Sequence, residues 1–154
     1  QNVSKILGNT NGDNKGNDDS PSNKIYIRYA DVLLWKAEAL NEGGNYAGAI
    51  AAINKIRLRA RTSPTANGAA IPAGTLPDRG SSTNPTEIKG WLMSERRVEL
   101  GFESQRFNDL KRWGTAKTFL TGLGRNFQDH NYLYPIPQGE VDKSGGTITQ
   151  NPGY

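Results

Sequence analysis

Hydrophobic and polar positions divide the chain sharply near residue 25. From Gly8 to Asn23 the sequence is almost entirely Asn, Gly, Asp, Ser, Thr and Lys, with too little apolar surface to offset the entropy of ordering. Residues 1–24 therefore read as a polar loop or linker. From Ile25 onward Tyr26, Ala30, Leu33, Leu34, Ala37 and Leu40 recur at three- and four-residue spacing, the stripe of an amphipathic helix. Gly43 and Gly44 end that helix. Asn45 is placed to cap a second one, with a stripe of Tyr46, Ala49, Ile50, Ile53 and Ile56, and Pro64 follows its end. The pattern predicts two antiparallel helices joined by a short turn, with the small residues Ala37 and Ala49 at their closest approach.

The stretch from Arg61 to Ser82 is rich in Ala, Gly, Pro, Ser and Thr, long for a structureless connection, and long ordered loops are often functional. A third helix follows, with Asn84 as cap, Pro85 in the first turn and Glu87 reaching back as in a capping box. Ile88, Trp91, Leu92, Val98 and Phe102 form its expected apolar side. Ser104 is expected to cap a short fourth helix through Phe107, Leu110 and Trp113, closed by Gly114. Beyond it, 132–137 and 151–154 are proline-fixed segments with at most a short strand expected. The fold class is mainly α: a helical hairpin, further helices and long irregular loops.

Composition changes this picture little. A chain of 154 residues is one domain or part of one. Its 18 Gly and 8 Pro exceed the average usage of about 12 per cent for the pair, in keeping with much loop. There is no Cys, and only one His and one Met, so disulfides, thiolate metal sites and histidine clusters are excluded. Asn11, Asp13 and Gly16 partly follow a calcium loop, but Lys15 occupies a ligand position and the closing Glu is missing. No metal or cofactor is assigned. Apolar runs are far shorter than the roughly 20 residues that span a bilayer.

Charge is more informative by position than by sum. The net charge of +4 is matched by the cluster Lys55, Arg57, Arg59 and Arg61, which reads as a solvated helix end favoured by the helix dipole. No aromatic residues interleave with it as a nucleic-acid surface requires, so no nucleic-acid partner is expected. Arg28, Asp31 and Glu38 fall on the first helix, Glu95, Arg96 and Glu99 on the third, and Arg106 and Asp109 on the next, all near buried sides. Glu95 and Glu99, at i and i+4, share a face. As a glycosidase pair they need to flank a cleft about 5–9 Å apart. With Arg at 96, 97 and 106 nearby, they read instead as charge partners that lock helices together.

Two resemblances follow from the residues. The phrase from Gly44 to Ala49 resembles the interhelical turn of a tetratricopeptide repeat, with Leu33 and Leu40 where that repeat usually has Trp and Tyr. More specifically, YIRYADVLLWKAEALNE from Tyr26, INKIRLRA from Ile53, SERRVELGFESQRFNDLKRWG from Ser94, YPIP from Tyr134 and the closing QNPGY resemble, in order, the C-terminal portion of the SusD/RagB family. One departure is Ser104, where the family usually has Gly. The resemblance implies an α-α superhelix incomplete without an N-terminal part, so residues 25–154 are expected to be a C-terminal fragment.

The resemblance further implies a non-catalytic, surface-exposed outer-membrane lipoprotein of Bacteroidetes. Such a protein binds glycan or another nutrient for a SusC-like TonB-dependent transporter, tethered by a lipid anchor that this chain lacks. Sugar recognition uses aromatic faces and planar polar groups. Trp35, Trp91 and Trp113 lie on predicted helices and are assigned to the core, which leaves Asn67, Arg79 and Asn84 of the loop and Tyr132 as glycan-binding candidates. The alternative is a tetratricopeptide-like protein-interaction scaffold without a small ligand.

Overall fold

The computed structural model describes residues 25–65 and 68–154. The polar segment 1–24 and Asn67 lie outside the described residues. Among the described residues six α-helices follow in order: α1 Tyr29–Glu42, α2 Tyr46–Thr62, α3 Pro85–Glu99, α4 Arg106–Arg112, α5 Ala116–Gly122 and α6 Gln138–Lys143, with a 3-10 turn at Asp129–Tyr132. No strand occurs among the described residues, in agreement with the mainly α expectation. The chain divides into two compact units, one ending at Arg106 and the other starting at Phe107.

In the first unit, α1 and α2 form the expected hairpin. Its turn is a Schellman motif: Asn45 N–H donates to the Leu40 carbonyl at 2.8 Å and Gly44 N–H to that of Asn41 at 3.1 Å. The motif needs a left-handed residue between them, and Gly44 supplies it with φ +77°. Asn45 then caps α2 by accepting from Gly48 N–H at 2.9 Å. Ala37 and Ala49, 1% and 0% exposed, sit in the shared core with Leu34 and Ile53. Ile88 and Leu92 of α3 complete that core, and the Asn41 amide ties the hairpin to the start of α3 by donating to the Pro85 carbonyl at 3.0 Å.

Several expectations shift in detail. The first helix starts at Tyr29, so Tyr26, expected on its stripe, precedes it and is exposed. Trp35, assigned to the core, is 42% exposed, because the buried side of α1 runs through Ala30, Leu34 and Ala37 while Tyr29, Val32 and Trp35 face outward. Glu87 does not reach the Asn84 backbone. It accepts from Ser82 Oγ at 2.6 Å, and that hydroxyl accepts from Asn84 N–H at 3.1 Å. Val98 and Phe102 are exposed, and the buried face of α3 continues beyond Leu92 as Glu95 and Arg96.

The loop before α3 is fastened to α2 by side chains. Arg57 Nε donates to the Pro77 carbonyl at 2.7 Å, and the Asn54 amide both donates to and accepts from the Arg79 backbone, at 3.0 and 2.7 Å.

In the second unit Leu110, Ala116 and Phe127 are buried together. Phe127 meets Phe107 and Tyr132 edge-on at 6.1 and 5.1 Å. α5 and α6 had no clear signal in the sequence. In place of a strand, the extended segment around Ile136 is held by the chain end: Gln150 bonds both the N–H and the carbonyl of Ile136 at 2.8 Å, and Tyr154 donates to the Leu133 carbonyl at 3.0 Å. The closing phrase thus acts as a side-chain substitute for a paired strand.

Ser104, expected as a cap, has φ +62°, and α4 begins two residues later. A left-handed L-residue costs roughly 1–2 kcal/mol, part of which glycine returns as chain entropy. Ser104→Gly is therefore expected to stabilise the chain by about 0.5–1 kcal/mol, read as a raised urea midpoint. An unchanged or lowered midpoint contradicts this.

Candidate functional site

Beneath α3 lies a lattice of charges. Arg96 donates to Asp31 at 2.8 Å with the two side chains 1% and 3% exposed. Arg57 is bonded to Glu95, which Arg79 also approaches at 3.4 Å. Glu99 accepts from Arg28 at 2.5 Å and from Arg59 at 2.6 Å, and Arg28 Nε bonds Glu103 at 2.8 Å. Burial alone lowers the Arg28 pKa. Hydrogen bonds to Glu103 and Glu99, with their charges, outweigh that and hold it above its ordinary value.

Both Glu95 and Glu99 are thus held by guanidinium groups, Arg57 and Arg79 on the one and Arg28 and Arg59 on the other, where the sequence offered Arg96, Arg97 and Arg106. The basic stretch of α2 is less solvated than expected. Arg57 and Arg59 enter the lattice, and Arg61 meets Asp78 at 2.5 Å. Of the other charges on helices, Glu38 is half-buried on α1, Arg106 is half-buried at the start of α4, and Asp109 is buried and pairs with Arg112 at 2.9 Å.

Above the hairpin turn, an open cleft of about 790 Å³ lies between the first turns of α2 and the loop 81–83. Tyr46, Ala47 and Ala51 line one side, and Ser81, Ser82 and Thr83 the other. The loop wall is fixed from two directions, through Asn54 to the Arg79 backbone and through Ser82 to Asn84 and Glu87. Among the described residues, the Tyr46, Ser81 and Thr83 hydroxyls carry no hydrogen bond. No group of His, Asp or Glu there is arranged to hold a metal ion.

Of the residues named from sequence, Arg79 and Asn84 flank the 81–83 wall in the chain, and neither lines the cleft. The Arg79 backbone braces the loop, while its guanidinium lies over the Trp91 ring at 5.7 Å. Asn84 spends its side chain on capping α3, accepting from Thr86 and Glu87 N–H at 3.0 and 3.3 Å. Tyr132 belongs to the second unit, half-buried against Phe127, and its hydroxyl accepts from Lys117 N–H at 3.3 Å. Trp91 packs against the core, and Trp113 is half-buried beneath Arg112 at 4.7 Å. Tyr46, expected on the buried stripe of α2, packs against the core and also lines the cleft, and Ser81 and Thr83 belong to a Ser-Ser-Thr run before the Asn84 cap that carries no signal in sequence beyond loop.

The sequence model of the SusD family matches residues 2–131. SusD-like protein P2 of Formosa agariphila is 34% identical over 143 residues, 88% of this chain and 27% of the relative. SusD-like protein P38 of the same organism is 43% identical over 115 residues, 75% and 22%. Among solved structures, a SusD superfamily protein from Bacteroides vulgatus aligns with a TM-score of 0.68 at 29% identity, over 85% of this chain and 27% of that one. A SusD homolog from Bacteroides thetaiotaomicron aligns at 0.66 and 32%, over 90% and 28%. The chain spans about a quarter of the length of the curated relatives it matches.

The lattice makes a direct prediction. Removing one partner of the most buried pair leaves the other charge uncompensated, at a cost of about 3–5 kcal/mol, whereas replacing both with apolar groups is often neutral. Asp31→Leu is expected to lose that much in denaturant unfolding, and the Asp31→Leu/Arg96→Leu double variant to regain most of it. A double variant no more stable than the single one contradicts this.

Proposed function

The chain belongs to the SusD family, and we propose that it forms part of a non-catalytic binding protein for glycan or another nutrient at the bacterial cell surface. In this reading it serves a SusC-type TonB-dependent transporter of the outer membrane, tethered by a lipid on a Cys that this chain does not contain. The observation that carries the proposal is the family match over residues 2–131.

The chemistry of the chain supports it. The two carboxylates best placed in sequence for sugar hydrolysis are engaged by arginines, which leaves neither free to serve as acid or nucleophile in this geometry. Among the described residues no helix is long and apolar enough to cross a membrane, so attachment through a lipid is compatible with the helices present.

A second reading, the protein-interaction scaffold, is favoured by one observation. Ile25, Tyr26, Ile27, Tyr29, Val32 and Trp35 are all more than 40% exposed, an apolar run of the kind that marks contact surfaces. The readings separate in one experiment. Titration calorimetry of the chain with a panel of neutral and acidic oligosaccharides is expected to give binding heat without release of reducing ends. Release of reducing ends, or a stable complex with the transporter by a chain that binds no glycan, contradicts the proposal.

A further inference from the structure

We infer that the cleft between the first turns of α2 and the loop 81–83 is a subsite for uncharged sugar units. The inference rests on the glycan-binding reading and deepens it by naming a place and a ligand class.

Three observations converge on the cleft. The first is the lining. No side chain lining it carries charge, although 22% of the chain's residues do, and Arg79, Glu87 and Lys89 are close by in sequence. A cleft that selects an anionic sugar presents cations, as Arg and Lys do for carboxylates and sulfates, whereas this one presents hydroxyls and amides. Its free hydroxyls, on Tyr46, Ser81 and Thr83, each both donate and accept, as a sugar hydroxyl does, so they can pair with it in either sense.

The second is the floor. Ala47 and Ala51 offer small apolar contacts beside the Tyr46 ring, which suits the flat C–H faces of a pyranose. It suits a peptide poorly, since the cleft has no deep apolar pocket for an anchoring side chain, and no strand among the described residues offers an edge to extend. The volume of about 790 Å³ lies within the roughly 300–1,000 Å³ of small-molecule sites.

The third is rigidity. Asn54 uses both ends of its amide to fasten the backbone of Arg79. Ser82, Asn84 and Glu87 hold the same loop to the start of α3. The hydroxyls of Ser81 and Thr83 are therefore displayed on a wall fixed before any ligand arrives, which reduces the ordering cost of binding.

The test uses the full chain labelled with ¹⁵N, titrated with neutral gluco-, manno- and xylo-oligosaccharides and with oligogalacturonate. A neutral oligosaccharide is expected to shift the amides of Asn45–Ala51 and Ser81–Thr83. Two variants probe the site separately: Ser81→Ala/Thr83→Ala removes the free hydroxyls, and Ala51→Glu puts a charge and bulk on the exposed floor. Each is expected to weaken binding by about tenfold or more with an unchanged unfolding midpoint. If a neutral sugar binds but shifts only residues elsewhere, and both variants bind it normally, the cleft is not its site and the inference fails while the broader glycan reading stands. Tighter binding of oligogalacturonate in the cleft overturns the neutral class. If no oligosaccharide binds at all, both readings fall.

Discussion

The structure of the first unit turns on one constraint: α3 carries a buried face that is apolar at one end and ionic at the other. Ile88 and Leu92 enter the core, and the next two turns on the same face present Glu95 and Arg96, then Glu99. Charges in such a place are tolerable only when paired and hydrogen-bonded, and the partners come from both helices of the hairpin. Asp31 is supplied by α1, Arg57 and Arg59 by α2, and Arg28 by the residue just before α1. A slip of α3 by one residue would strand several of these charges, whereas an apolar face would tolerate sliding. The lattice is therefore a source of register more than of net stability, since well-packed apolar replacements can equal it.

That register positions the cleft. The loop before α3 is anchored at Pro77 and Arg79 to α2, through Arg57 and Asn54, and at its end to α3, through Asn84 and Ser82. Its shape thus depends on α2 and α3 keeping a fixed relation, which the pair Arg57 and Glu95 maintains beside the Arg79 guanidinium. Residues that fix the helix packing also brace this loop, with backbone groups of Pro77 and Arg79 serving as the intermediaries. The hydroxyl-bearing wall itself takes no part in the lattice, which leaves it free to engage a ligand.

Much of this was legible in the sequence, for identifiable reasons. The hairpin was readable because apolar period, paired glycines and an Asn cap all agree at Leu34, Gly44 and Asn45. Glu95 and Glu99 fall on a helix face with arginines at hand, but guanidiniums that bond them lie up to 71 residues away and no local rule identifies those. Extrapolating the apolar stripe to Val98 and Phe102 failed because the buried face changes chemistry at Glu95 and no longer follows hydrophobicity. Trp35 misled because a large aromatic on a helix is usually sheltered, and here it belongs to the open side of α1. α5 was hidden because Thr115 makes no side-chain cap bond, although Gly124 closes it with the two bonds that also close α1 and α4. The cleft was invisible because it joins α2 to a loop about 30 residues later, and only tertiary contacts create it.

The central claim is that the hairpin and α3 form one cooperative unit held in register by buried charge. Native-state hydrogen exchange measures this directly, since each amide reports the free energy of the opening that exposes it. If the lattice ties the helices together, the core amides of α1, α2 and α3 exchange at one common free energy, and Asp31→Leu lowers all three together. If α3 instead exchanges at a clearly lower free energy than the hairpin, and Asp31→Leu affects α1 alone, the helices are merely adjacent and the lattice does not set their register.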